Sequence, residues 1–207
     1  RNIQFLPADI QVKSLYPKFY DIFPIFFIFA LISAWYSYHK GAEMTNKWEG
    51  YQKGVNLGGW LSQCKYSIEH FENFITELDF KQIKEWGFDH VRLPFDFNII
   101  QDKSGTMIPS GFKYLDNAVQ WCKNSGLNLI LDLHKASGFS FDKGEMESGL
   151  FGNPEYEKLF MDLWIVMAAR YGKIGRNVSF ELLNEVTSPS FNDGWMALAE
   201  KTITEIR

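Results

Sequence analysis

Apolar residues along this chain fall into short runs separated by longer stretches in which they recur every three or four positions. Gly54-Val-Asn-Leu57 is a short apolar run ending at Gly58-Gly59, the pattern of a strand feeding a turn. Thr76-Glu-Leu-Asp79 offers a helix start, Ile83 and Trp86 continue its apolar side, and Gly87 stops it. Phe88 to Leu93 reads as a second strand with Pro94 as its terminator. Tyr114, Leu115, Ala118, Val119 and Cys122 recur at helical spacing, and Gly126 closes that helix. Leu127 to Leu133 is an almost unbroken apolar run, as in strands buried on both faces of a parallel sheet. A helix from Glu155 to Tyr171 follows Pro154 and ends at Gly172. A strand over Val178 to Leu183 and a helix from Gly194 to the last residue complete the pattern. The order βαβαβαβα predicts an α/β fold with a parallel sheet.

The spacing narrows the architecture. The four strands recur roughly every 40 residues, and a (β/α)8 barrel of such units needs about twice the 164 residues that follow Glu43. The expectation is therefore a partial (β/α)8 TIM barrel with the first four βα units present. The alternative is a complete four-stranded doubly wound sheet. Against it, Gly54-Val-Asn-Leu-Gly-Gly59 lacks the Gly-x-Gly-x-x-Gly spacing of a dinucleotide-binding turn.

Composition adds one complication. The chain has 207 residues, 46% of them hydrophobic and 22% charged, which excludes a disordered chain. A net charge of -4 and the lack of a basic stripe argue against nucleic acid as a partner. The 2 cysteines, Cys64 and Cys122, do not make a disulfide scaffold. Aromatic residues reach 17%, and residues 1–43 are especially rich in them. No charge lies between Asp21 and His39, but a helix over that run reaches only ~26 Å, marginal for a bilayer. Residues 1–43 are read as an apolar leader: upstream translation, a signal, or a membrane segment over residues 22–36. Residues 44–207 are read as the N-terminal half of a barrel. Location follows from that choice: extracellular if the leader is a signal, cytoplasmic if translation starts at Met44.

Polar residues collect where the predicted strands end: Asn56-Leu-Gly-Gly-Trp60, Arg92-Leu-Pro-Phe-Asp96, Asp132-Leu-His134-Lys135 and Asn184-Glu185. In parallel α/β folds these ends share one face, where ligands bind. Singly, each has a plain structural explanation, such as an ion-paired Arg92, a core His134 or a capping Asn184. Together they converge in space.

Gly54-Val-Asn-Leu-Gly-Gly-Trp60, His90-Val-Arg-Leu-Pro94, Leu131-Asp-Leu-His134 and Phe180-Glu-Leu-Leu-Asn-Glu185, in that order, resemble glycoside hydrolase family 5. These are cellulase-like (β/α)8 retaining glycosidases. The resemblance runs from about Lys53 to the end, and its opening is most similar to β-glucan-cleaving members, both endo-β-1,4-glucanases and exo-β-1,3-glucanases. It implies Glu185 as the acid/base catalyst and Asn184 as the hydrogen-bond partner of the sugar 2-hydroxyl. It also implies Arg92 and His134 as active-site residues. The family's nucleophile, a second Glu at the end of the seventh strand, has no counterpart in these 207 residues.

A retaining glycosidase needs two carboxyl groups roughly 5–5.5 Å apart. Asp132 lies one layer deeper than His134, and Glu181 about 13 Å down the strand from Glu185. Both are expected to be buried hydrogen-bonding groups, which leaves this chain inactive alone. Trp60 is the candidate sugar-stacking residue, with Phe95, Phe97, Phe139, Phe141 and Phe151 behind it. Trp86, Trp121 and Trp164 are expected to pack between helices and sheet. Two rivals stand beside the glycosidase. One is a non-catalytic sugar-binding remnant. The other is a metal-dependent barrel hydrolase built on Asp132, His134 and Glu185, for which four histidines are few. His39 is in the leader, His70 in a loop and His90 near the opposite strand end. No metal or cofactor is expected.

Overall fold

The structure is a computed structural model that describes residues 4–5, 49–142 and 149–207. Its elements belong to one compact unit formed by residues 1–6 and 50–207. The expected membrane or signal segment at residues 22–36 lies outside the described residues. Among the described residues, no helix is long and apolar enough to cross a membrane.

The strands are β1 (Gln4–Phe5), β2 (Gly54–Asn56), β3 (His90–Asp96), β4 (Asn128–Lys135) and β5 (Val178–Glu181), in spatial order β1-β2-β3-β4-β5. β2 to β5 run parallel, and β1 pairs antiparallel with β2. The helices are α1 (Ile68–Asn73), α2 (Glu77–Glu85), α3 (Pro109–Ser125), α4 (Pro154–Tyr171) and α5 (Asn192–Ile206).

Local signals account for most boundaries. At α2 the Thr76 N–H donates to Asp79 Oδ2 at 2.8 Å, one half of a capping box. Gly126 takes the left-handed conformation at φ 66° that ends α3. Asn153 caps α4 by accepting the Glu155 N–H at 3.0 Å, with Pro154 in the first turn.

Three expectations are corrected. Pro94 does not end its strand, which continues to Asp96. Leu57 N–H donates to Arg92 O and Asp96 N–H to Leu61 O, so the even-numbered residues of β3 turn their backbone groups toward β2. β2 ends at Asn56, opposite Arg92, so at Pro94 there is no ladder bond for the missing N–H to break. His70 lies on α1 rather than in a loop. That six-residue helix buries none of its residues and so leaves no apolar period to read. Trp86 is not a packing residue; it is 53% exposed, because each step of three residues falls short of a full helical turn and Trp86, two such steps past Phe80 at the α2 C-cap, has drifted off the buried face.

The two faces of the sheet differ sharply. Val55, Val91, Leu93, Phe95, Leu129, Leu131 and Leu133 point one way and are fully buried. They share one cluster with Phe80 and Ile83 of α2, Leu115 and Ala118 of α3, and Leu163, Trp164 and Met167 of α4. Asn56, Arg92, Asp132, His134 and Glu181 occupy the other face by alternation and register, since Arg92 pairs with Asn56 and Asp132 with Glu181. Helices cover the apolar face and the polar face turns inward, as in a barrel wall rather than a doubly wound sheet.

Candidate active site

Arg92 is the hub of the polar face. Its Nε donates to Glu181 Oε2 at 2.7 Å and its Nη2 to Glu181 Oε1 at 2.8 Å. Nη2 also lies 2.8 Å from Asn184 Oδ1 and 2.8 Å from Asp132 Oδ2, while Nη1 donates to Asn56 Oδ1 at 2.9 Å. Burial alone would lower the Arg92 pKa, but hydrogen bonding to Glu181 and the charges of Asp132, Glu181 and Glu185 raise it overall. Glu185 is thus within electrostatic reach of the guanidinium.

Asp132 is fully buried and carries a second contact, His134 Nδ1 at 2.7 Å from its Oδ2. Burial pushes its carboxyl up to about 6, against the opposing pull of His134 and Arg92. Once ionised it can only accept, so His134 holds its proton on Nδ1 and leaves Nε2 as the open ring nitrogen. His134 also meets the edge of Phe141, with centroids 5.2 Å apart at 82°. Asp132 and His134 are therefore bound to each other rather than offered jointly to an ion.

The β5 ladder runs one bond past the strand, from Asn184 N–H to Leu133 O at 3.0 Å. This places the Asn184 side chain beside Arg92, buried at 4% exposure. Because a guanidinium only donates, the amide oxygen must face it and Nδ2 must turn away. Nδ2 has no hydrogen-bond partner among the described residues, and neither has Asp132 Oδ1. The next residue, Glu185, sits at φ 48°, a left-handed conformation unusual for a side chain of its kind, and is exposed.

These groups open on a cleft of about 320 Å³. Asn56, Arg92, His134, Asn184 and Glu185 line its polar side, and Gly58, Gly59, Gln63, Phe74 and Phe141 line much of the remainder. Gly59 is at φ 77°, a backbone conformation that favours glycine, and lies against the Phe74 ring. Phe74 stacks on His70 with centroids 4.6 Å apart, and His70 Nε2 is held 2.7 Å from Gly59 O. A polar rim joins the loop after β2 to the ends of β3 and β4. Ser62 Oγ donates to Asp96 Oδ1 at 2.7 Å, Tyr66 OH donates to Asp96 Oδ2, and Gln63 Nε2 donates to Asp142 Oδ1 at 2.8 Å. Lys135 pairs with Asp142 at 2.6 Å. Burial raises the Asp96 carboxyl despite its two hydroxyl donors.

Of the residues singled out in the sequence, Arg92, His134, Asn184 and Glu185 line one cleft. Trp60 does not join them. It is fully buried, its Nε1 donates to Phe71 O at 2.9 Å, and it stacks on Trp121 at 5.8 Å. Phe95 and Phe139 are buried as well, which leaves Phe74 and Phe141 as the aromatic rings lining the cleft. Glu181 is less buried than expected, with its side chain 37% exposed. Asn56 was named among the strand-end residues but given no role, and Phe74 was missed. Asn56 stands in the strand-end motif and its polarity was a usable signal, whereas Phe74 follows a helix with no apolar period. Among the described residues no group of three or more His, Cys, Asp or Glu side chains is placed to hold a metal ion.

Comparison with known proteins supplies an independent line. Residues 45–207 match the family model of cellulase, glycosyl hydrolase family 5. The chain is 52% identical over 161 residues to cellodextrinase A of Ruminococcus flavefaciens, covering 78% of this chain and 48% of that protein. It is 44% identical over 160 residues to endoglucanase C of Acetivibrio thermocellus, covering 76% of this chain and 46% of the relative. The chain thus spans about half the length of the curated relatives it matches. Among solved structures, endoglucanase Cel5A of Thermotoga maritima superposes with a TM-score of 0.60 at 25% identity, over 74% of this chain and 47% of that one.

Proposed function

Because the chain belongs to glycosyl hydrolase family 5, the cellulases, we propose that it forms the acid/base-bearing half of a retaining β-glucan hydrolase acting on cellodextrins. The family match covers residues 45–207, and their four parallel strands with following helices are taken as the first four units of the barrel. The observation that carries the reading is the Asn184 amide: buried, oriented by Arg92, with an unpartnered donor, on a residue that lines the cleft together with Glu185. The relatives named cellodextrinase and endoglucanase support the substrate class.

In this reading Glu185 protonates the departing glycosidic oxygen and later takes a proton from the incoming water. Asn184 Nδ2 donates to the hydroxyl adjoining the anomeric carbon, a contact that tightens as positive charge develops in the ring. His134 accepts or donates to a sugar hydroxyl through Nε2. Arg92 offers one further N–H on Nη1, since Asn56 takes only one of its two, and this donor suits a second carboxylate. Asp132 is fully buried, and Glu181 holds Arg92 with both carboxylate oxygens four residues before Glu185, so neither is offered to an anomeric carbon as the nucleophile. The second carboxyl group comes from a longer polypeptide, and these 207 residues alone bind sugar without cleaving it.

Two measurements test this. Cellotriose added to the 207-residue chain is expected to bind at the cleft with no release of glucose or cellobiose; Glu185-dependent turnover would overturn the inactivity. A chimera that continues the chain with the second half of the cellodextrinase relative is expected to hydrolyse cellotriose. There, Glu185→Gln should lower kcat by roughly 10²–10⁴-fold. A chimera that folds and binds but turns over equally well with Gln at that position would remove Glu185 from its role.

A further inference from the structure

We infer that Glu181 is a positioning residue: it fixes the plane of the Arg92 guanidinium and, through it, the direction in which the Asn184 amide presents its spare N–H to the cleft. The identity of the ligand rests on the β-glucan reading above, while the geometry stands without it.

A guanidinium is a planar fork on a flexible stem, and a single contact leaves the plane free to turn about it. Glu181 grips Nε and Nη2 with both carboxylate oxygens, at 2.7 and 2.8 Å, which removes that freedom. With the plane set, Nη2 falls on Asn184 Oδ1 and Asp132 Oδ2, and Nη1 falls on Asn56 Oδ1. Asp132 cannot do this alone. It meets Arg92 through one oxygen, and His134 shares that same oxygen. Asn184 in turn has no choice of rotamer sense, because its oxygen must face a group that only donates. Its Nδ2 is left buried and unpartnered next to the acid/base residue, a costly arrangement unless a ligand acceptor completes it.

A merely structural ion pair predicts something different. The Glu181 side chain is 37% exposed and that of Arg92 13%, a part-buried pair whose loss costs some stability whatever else it does. If Glu181 only paired charges, replacing it would leave the Asn184 amide unchanged.

The test uses the 207-residue chain labelled with ¹⁵N, reading the Asn184 side-chain NH₂ pair, assigned by its loss in Asn184→Asp. In Glu181→Gln, which keeps the shape but sets an amide against the fork, the Asn184 pair is expected to shift and broaden. The His134 ring signals, held through Asp132, should stay in place. Cellotriose affinity is expected to fall about tenfold or more. Glu181→Asp, which keeps the charge, should recover part of both effects, and it carries the same readout if the Gln variant does not fold. An Asn184 pair unmoved in both variants overturns the proposal, with or without ligand. Failure of the unaltered chain to bind cellotriose, with the Asn184 pair still responding to Glu181, overturns the β-glucan reading and upholds the positioning role.

Discussion

Arg92 Nη2 lies 2.8 Å from Asn184 Oδ1, joining residues 92 positions apart, and this contact orients the amide beside Glu185. The same guanidinium neutralises Asp132, which is fully buried. Replacing Arg92 by Met therefore does two things at once: it frees the Asn184 amide and strands a buried carboxylate. The expected loss is about 3 kcal/mol, at the lower end for a broken buried pair because His134 still binds Asp132. Urea unfolding measures it; a loss under about 1 kcal/mol would show that solvent reaches Asp132.

Asp132 gives a pH dependence of definite sign. Burial raises its carboxyl from 3.8 to about 6, so between those values the folded state holds more protons than the unfolded chain. Stability from this group is fully present below the unfolded pKa and is lost as pH rises through the folded one. Depressed carboxyls such as Asp89, Asp116 and Asp142 run the opposite way, so the total curve is uninformative. The useful quantity is the difference between the unaltered chain and Asp132→Asn. From about pH 4 to pH 7 the unaltered chain should lose ground to the Asn variant. A flat or rising difference contradicts the assignment.

Trp60 and Phe141 separate packing from binding. Trp60→Ala empties a fully buried site and should cost about 3–5 kcal/mol. Phe141 is half-buried and lines the cleft, so Phe141→Ala should instead weaken cellotriose binding severalfold, with thermal unfolding changed by about 1 kcal/mol or less. Titration and melting curves on the same two variants decide; the reverse pattern would restore Trp60 as the sugar contact.

Glu185 combines an unfavourable backbone with a central role. At φ 48° it occupies a region that Asn tolerates better than Glu. Glu185→Asn is expected to raise stability by about 0.5–1 kcal/mol while removing the acid/base group. A lower unfolding midpoint for Glu185→Asn would mean the exposed Glu185 side chain makes a stabilising contact that outweighs the strain.

Much of this was legible along the chain. Runs such as Leu127 to Leu133 and the helical spacing of Tyr114 to Cys122 depend on near neighbours, and so do the caps at Thr76, Asn153 and Gly126. Such local signals mark strands and helices whatever the rest of the protein does. Strand-end chemistry was equally visible, because a polar residue closing an apolar run announces the face where parallel strands end together. Arg92, His134, Asn184 and Glu185 stood out that way among other strand-end residues, and the resemblance to glycoside hydrolase family 5 singled them out. Three outcomes needed the folded chain. Pro94 is tolerated inside β3 because β2 stops two residues short of it, a matter of how two strands 36 positions apart align. Trp60 is sealed by Phe71 and Trp121, which pack over it only once α1 and α3 are in place. Glu181 grips Arg92 because register sets β5 against β4 and β4 against β3, across 89 residues of sequence. Pattern along the chain determines which residues face the cleft side of each strand; which of them touch is decided by inter-strand register, which no local stretch contains.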